Sequence, residues 1–407
     1  MEKIEPYNAV IIQPKVIVTF QRKEIKKNLE RSEELIDAAA MWCSPMGLPA
    51  RLVAFPEAFL HGTGMGMDLR LTLRDFKKTA ITIPGEETDS LGERAQANRT
   101  YVVGHSYELD KEWSPERLFS TAFVISPEGK VIMKYRKVNV SNSPIELPDS
   151  PCEVLDEYMR KYGKGKTITE TLFPVVKTRI GNIGCFICFD GFFPEPTRCL
   201  ALNGAEVLVR PTAYMDPWVS HWGGIEAWQL QNRMRAFENR CYVVAPNIGE
   251  WVNAPHMPSM WDPGHSMIAD PEGRVLCEAS PGENMVAAVI DIERLRMMRR
   301  YLGDNLLPLI WTEAYADAYK KTIFPPNQWP DRQAETVIDR WEKIVSATEK
   351  LYSEMYGEKI DVIPPELPEP RPTSSVYADF RPEITWSNIV EQYRKAFGEK
   401  LARPRKP

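Results

Sequence analysis

The chain has 407 residues, enough for two average domains or for one large α/β domain with an appendage. Its 51 Lys+Arg and 56 Asp+Glu leave a net charge of −5, so nothing favours an electrostatic nucleic-acid binder. With 43% hydrophobic and 26% charged residues, disorder over most of the length is excluded as well.

No run of about eighteen apolar residues occurs, so no transmembrane helix is encoded and no membrane partner is expected. The N-terminal MEKIEPYNAVIIQPKV lacks the apolar core of a secretory signal. Seven cysteines form no tight framework, and a reduced, cytoplasmic compartment follows as the expectation. The 34 prolines exceed the usual ~5% and cluster late.

In chain order, NAVIIQPKVIVTF reads as a strand. The charged stretch from Arg22 to Met41 reads as a helix with Ile25, Leu29, Leu35, Ile36 and Ala39 on one side. RLVAFPE is a buried strand stopped by proline. NRTYVVGHS, TAFVIS and VIMKYRK follow, the last two joined by Pro127-Glu128-Gly129. The second half runs FPVVKT, GNIGCFICFD, AEVLVRPT, NRCYVVAPN and HSMIAD–PEG–RVLCEA. The two series echo each other in order: RLVAFPE with AEVLVRPT, NRTYVVG with NRCYVVA, TAFVISPEGKVIMK with HSMIADPEGRVLCE. A duplicated α/β half predicts a four-layer αββα sandwich of two pseudo-twofold-related halves.

Beyond residue 300 the character changes. IFPPNQWP is a breaker, and Asp331–Tyr356 reads as a helix with Val337, Ile338, Trp341, Ile344 and Val345 on its apolar face. DVIPPELPEPRP is an extended linker, and a last helix is predicted from Ser387 to about Leu401. The division is therefore a main domain over 1–320 and a helical, proline-rich extension over 321–407. The extension is too poor in apolar surface for its own core and is expected to pack on a neighbouring subunit.

Three motifs stand at strand ends. Phe55-Pro56-Glu57 puts a carboxylate past a buried strand, where desolvation suits it to general base work; a helix cap or a solvated loop residue is the plainer use. Lys134-Tyr135-Arg136-Lys137 is either a solvated edge or the source of one buried cation for an oxyanion. Alternation puts Tyr135 and Lys137 on one face, Lys134 and Arg136 on the other. The third, Cys185-Phe186-Ile187-Cys188-Phe189-Asp190-Gly191, sets a cysteine at the crest of a strand-to-helix elbow, beside amides that favour a thiolate. Residues three apart in a strand point to opposite faces, so Cys185 and Cys188 should diverge. No second CxxC occurs, the five histidines show no metal-ligand spacing, and no metal site is expected.

In the order Glu, Lys, Cys, these motifs resemble the nitrilase, or carbon–nitrogen hydrolase, superfamily over roughly residues 8–300. The resemblance implies the αββα fold, with catalytic roles for Glu57, Lys137 and Cys188. It extends to Arg235-Ala236-Phe237-Glu238-Asn239, followed by Tyr242-Val243-Val244 and Asn247. Cys188-Phe189-Asp190-Gly191 followed by Phe193-Pro194-Glu195 is similar to the aliphatic amidase and formamidase branch, as are Val209-Arg210 leading to Tyr214-Met215, and Gly264-His265-Ser266. That branch implies a second active-site glutamate, carried onto Glu146 in Pro144-Ile145-Glu146, with Glu153 and Glu157 as alternatives. The backbone N–H of Phe189 would join Lys137 at the oxyanion.

The activity implied is hydrolysis of a small-molecule amide to acid and ammonia through a thioester on cysteine, with no metal or organic cofactor. Nitrile or N-carbamoyl-amine hydrolysis by the same residues, or a catalytically silent oligomeric scaffold, are the alternatives. The family assembles through helices near the nucleophile, so a homo-oligomer is implied. Beyond the strand ending at Arg210, Tyr214, Met215, Trp218 and His221 are candidates for the substrate wall, or for an aromatic subunit interface.

Overall fold

Short runs rich in β-branched residues pair into two six-stranded sheets. The computed structural model describes residues 3–43, 47–62, 72–141, 146–214, 224–252, 264–301, 303 and 305–359. The first sheet contains β1 (Tyr7–Gln13), β3 (Ala50–Ala54), β4 (Tyr101–Asp110), β5 (Arg117–Ile125), β6 (Val131–Arg136) and β14 (Asn284–Ile290), ordered β14-β1-β3-β4-β5-β6. The second contains β7 (Val175–Thr178), β8 (Gly181–Cys185), β9 (Val207–Val209), β10 (Tyr242–Ala245), β12 (Met267–Ala269) and β13 (Val275–Glu278), ordered β7-β8-β9-β10-β12-β13. Each sheet, crossed in that direction, pairs antiparallel, parallel, parallel, antiparallel, antiparallel. β2 (Lys15–Ile17) and β11 (Glu250–Val252) form a separate two-stranded ribbon.

The echo between the halves extends to atoms. In one hairpin Gly129 has φ 75° and its N–H donates to Ser126 O; in the other Gly273 has φ 76° and donates to Asp270 O. Both turns need glycine for that left-handed backbone. Each also packs tightly on a helix. A Cβ on Gly129 would sit 3.0 Å from the carbonyl oxygen of Gly92, and one on Gly273 would sit 3.1 Å from that of Arg233.

The sheets face each other across one buried cluster that takes Ile11, Ala54, Val103, Val124 and Tyr135 from the first sheet and Ile183, Cys185, Val209 and Val244 from the second. The helices Lys26–Cys43 and Glu86–Ala97 cover the outside of the first sheet. Pro194–Leu202 and Gly224–Asn239 cover the outside of the second. The four layers are therefore α, β, β, α.

Several boundaries differ from the expectation. Pro14 has no N–H to give a ladder, and the first strand divides there into β1 and β2. The first helix begins at Lys26, after a single 3-10 turn at Arg22–Glu24. Helix Glu86–Ala97 and β14 were not anticipated; the helix buries only Leu91 and Ala95 among large or aliphatic side chains and offers little apolar periodicity.

The late helix spans Val337–Tyr356 rather than starting at Asp331, because Thr336 is its N-cap and exchanges hydrogen bonds with Asp339. The residues before it lie against this same chain. Gln333 bonds both backbone groups of Leu118, the Asn327 and Trp329 N–H groups donate to the carbonyls of Cys152 and Glu153, and Trp329 and Ala334 are buried. The side chains of Val337, Ile338 and Trp341, the proline-rich linker and the expected last helix lie outside the described residues.

Candidate active site

Four neighbouring strands of the first sheet converge on one buried point. β3 runs into Phe55-Pro56-Glu57, and the chain then turns through Ala58 at φ 58°. The Ala58 N–H donates to His105 Nδ1 on β4 at 2.9 Å, which leaves His105 Nε2–H to donate to Ser120 Oγ on β5 at 2.8 Å. Ser120 O in turn accepts from the Lys137 N–H just past β6, at 2.8 Å. The turn that carries Glu57 and the strand end that carries Lys137 are thus tied together through the sheet. Burial, with His61 and Lys137 nearby, holds the His105 pKa well below the ordinary histidine value, so the ring is a neutral strut.

The alternation along β6 sorts the basic run. Lys134 and Arg136 both pair with Glu108, and Arg136 also pairs with Asp110. Lys137 faces the other way, with Nζ 2.9 Å from Glu57 Oε1 and 2.6 Å from Glu146 Oε1. Its side chain is 1% exposed. The second oxygen of each carboxylate is held by backbone: Ala213 N–H donates to Glu57 Oε2 at 3.1 Å and Ser141 N–H to Glu146 Oε2 at 2.7 Å.

Cys188 comes from the second sheet. The chain leaves β8 at Cys185, and Cys188 takes a left-handed φ of 40° as it enters a 3-10 turn to Phe192. The expected divergence of Cys185 and Cys188 fails here. Strand alternation ends before Cys188, and both cysteines belong to the core between the sheets. The Cys188 carbonyl accepts from Arg210 Nε at 3.1 Å and Nη2 at 2.7 Å, while its N–H donates to Pro211 O. Arg210 is wholly buried, stacked over Trp228 and tied to Asn232 and Gln231. Gly191 is glycine because a Cβ there would sit 2.2 Å from that guanidinium.

Asp190 is the link between the two sheets. Its carboxylate accepts from the Ile187 N–H, the Asn139 N–H and Nδ2, and the Tyr135 hydroxyl. The β6 end and the cysteine turn are held in one register by it.

The electrostatics follow from three charged groups and a thiol in a dry site. Burial pushes Glu57 up to about 7, opposed by Lys137 and reinforced by Glu146. Burial works against the Lys137 ammonium, but Glu146 and Glu57 outweigh it and hold its pKa well above the lysine range. Burial and then Glu57 push the Cys188 thiol well up, with Lys137 and Arg210 opposing. The Cys188 thiol is near enough to Glu57 to help hold the carboxylate down against its burial. A thiol poised against a carboxylate that titrates near neutrality, beside a fixed cation, can transfer its proton as it attacks a carbon.

Of the glutamates considered beside the lysine, Glu146 reaches Lys137. Glu153 instead accepts from the Ser150 N–H and pairs with Arg340, and Glu157 pairs on the surface with Arg160 and Lys161. Phe189 directly follows Cys188, its ring against Phe192 and Phe193. Tyr214 lies wholly buried behind the site, its N–H on Asn247 Oδ1 and its ring stacked 5.4 Å from Trp228. Met215, Trp218 and His221 lie outside the described residues. Asp190, Arg210 and Asn247 stood within the strings that carry the resemblance but were given no role there, and His105 was not singled out at all.

A deaminated glutathione amidase of Synechocystis is 28% identical over 302 residues, spanning 74% of this chain and 97% of its own. Omega-amidase NIT2 of Danio rerio is 29% identical over 288 residues, spanning 70% and 91%. The carbon-nitrogen hydrolase from Helicobacter pylori G27 superposes with TM-score 0.60 at 20% identity, over 78% of this chain and 99% of its own. Saccharomyces cerevisiae Nit3, of the nitrilase superfamily, gives 0.56 at 22% identity, over 74% and 95%. At those identities the two structures speak for the fold alone. The family model described as Carbon-nitrogen hydrolase matches residues 11–300, and the chain belongs to that family, hydrolases of carbon–nitrogen bonds.

Proposed function

We propose that the protein hydrolyses a small amide to a carboxylic acid and ammonia through a thioester on Cys188. The observation that carries the reading is the juxtaposition of Glu57, Lys137, Glu146 and Cys188. They come from separate stretches of chain into one buried cluster with Lys137 between two carboxylates. Glu57 takes the thiol proton as Sγ bonds the amide carbon, and the carbonyl π pair moves onto oxygen. Lys137 and the backbone N–H of Phe189 stabilise that oxyanion. Collapse breaks the C–N bond, and Glu57 returns the proton to the departing nitrogen. A water then loses a proton to Glu57 and attacks the thioester, and the thiolate leaves and is reprotonated. Glu146 holds Lys137 charged and in place throughout.

The same reading takes the protein as a homo-oligomer in a reducing, cytoplasmic setting. All seven cysteines are free, and among the described residues no helix is long and apolar enough to cross a membrane. Leu230, Met234 and Phe237 form an exposed apolar stripe on the helix that flanks the cysteine turn.

The test is ammonia release from a panel of simple aliphatic amides, an aryl amide, an ω-amide of a dicarboxylic acid, and deaminated glutathione, with nitriles alongside. Release from an amide that stops with iodoacetamide supports the reading. Turnover of nitriles alone, or of nothing, refutes it.

A further inference from the structure

Arg340 belongs to the C-terminal extension, yet its guanidinium lies within the main domain, 7% exposed. Nη2 donates to Leu147 O at 3.2 Å and to Pro148 O at 2.8 Å, the two carbonyls directly after Glu146. Nη1 donates to Glu153 Oε1 at 2.8 Å, and Nη2 lies 3.5 Å from Asp149 Oδ1. The other oxygen of Asp149 is held at 2.6 Å by Arg117, whose Nη2 also caps Trp329 O and Pro330 O of the extension. The stretch from Glu146 to Glu153 is thus gripped by two buried arginines, one of them from the extension. Leu147 is packed among Trp329 and Ala334 of the same extension.

A guanidinium whose Nη2 donates to two successive carbonyls while its Nη1 holds Glu153 fixes that backbone more firmly than any one bond alone. The backbone fixed here is the one from which Glu146 reaches Lys137. We propose that Arg340 is a positioning residue for the amidase chemistry: through the Leu147 and Pro148 carbonyls it seats Glu146 against Lys137, so the C-terminal extension is part of the active-site scaffold. This rests on the reading of Lys137 and Glu146 as site residues.

The juxtaposition separates Arg340 from a residue that only holds the extension down. A residue acting through Glu146 loses its effect when the Glu146 carboxylate is gone, whereas an independent stabilising residue does not.

The experiment compares the full chain with Arg340→Lys, which keeps the charge between Asp149 and Glu153 but loses the planar guanidinium that holds the two carbonyls and Glu153 together. Arg340→Gln is a second variant. Folding is checked by thermal melting, and each change is also made with Glu146→Gln. With an amide that the unsubstituted protein hydrolyses, the single variants should lose about 10-fold or more in kcat, with KM within about 2-fold. In the Glu146→Gln background the further loss should be under about 2-fold. A parallel arm follows the pH profile of Cys188 alkylation by iodoacetamide, located by peptide mass spectrometry. Arg340→Lys should move its midpoint the same way as Glu146→Gln does, and the double variant no further. Folded variants with unchanged kcat and an unchanged profile, or losses that multiply in the double variants, would overturn the proposal. If no amide is hydrolysed at all, the amidase reading fails, and the alkylation arm still decides the role of Arg340.

Discussion

The Tyr135 hydroxyl donates a 2.7 Å hydrogen bond to Asp190, and with the two bonds from Asn139 it joins the end of β6, where Lys137 follows, to the turn that begins at Cys188. Tyr135 lies on β6 of the first sheet and Asp190 in the turn that follows β8 of the second, both buried. Tyr135→Phe removes one of four donors to the carboxylate and should cost about 1.5–3 kcal/mol of stability, the range for a hydrogen bond to a charged group. Asp190→Asn places an amide N–H donor where donors converge and should lower kcat more than Tyr135→Phe does. Chemical denaturation and ammonia release measure the two effects. Equal activity in both variants would deny Asp190 its part in aligning the sheets.

Gly191→Ala forces a Cβ onto the Arg210 guanidinium that holds the Cys188 carbonyl. Arg210 has no room to retreat, being buried against Trp228 and Phe186. Overpacking of this kind costs about 1–3 kcal/mol. The variant should melt earlier and alkylate at Cys188 more slowly. Alkylation at the wild-type rate would show that the Arg210 contact does not set the cysteine's placement.

The pH dependence follows from Glu57. It must be ionised to accept the thiol proton, and burial sets it at about 7, so kcat/KM and Cys188 alkylation should both fall as pH drops through that value. The charge on Glu146 raises Glu57, so Glu146→Gln removes a repulsion and should move the acidic limb to lower pH while reducing the rate. A limb that moves up, or one set by an ordinary thiol titration above 8, would contradict the assignment of Glu57 as base.

Leu230 and Met234 are exposed by 62% and 40%, four residues apart on one helix face with Phe237 beyond them. Placing glutamate at both positions should lower the mass seen by light scattering without changing the melting of the subunit core. An unchanged mass would remove this face from the assembly.

The pseudo-twofold architecture was legible because each half repeats its strand order and even its Pro-Glu-Gly turn, and the two sheets pair in matching patterns. Strand alternation separated Tyr135 and Lys137 from Lys134 and Arg136, and that period holds through β6; the choice of Lys137 itself came from the family resemblance. It does not hold at Cys188, where a left-handed residue ends the strand, so the separation from Cys185 was misjudged. Glu146 was favoured by its Pro-Ile-Glu context, but its spacing from the lysine left Glu153 and Glu157 open. The difference lies in Arg340, far away in the chain, which takes Glu153 for itself. His105 and Asp190 act through contacts across strands and between sheets, and sequence spacing carries no record of those. The start of the late helix turned on one cap, Thr336 with Asp339, inside a run whose apolar residues suggested an earlier start.

The central claim is a covalent acyl group on Cys188. Rapid acid quenching during turnover of an amide substrate, followed by peptide mass spectrometry, measures it directly. The account predicts an acyl adduct on the peptide carrying Cys188, released with time as acid, and neither adduct nor ammonia from a folded Cys188→Ala protein. An adduct on Cys185, or ammonia release that persists in Cys188→Ala, would contradict it.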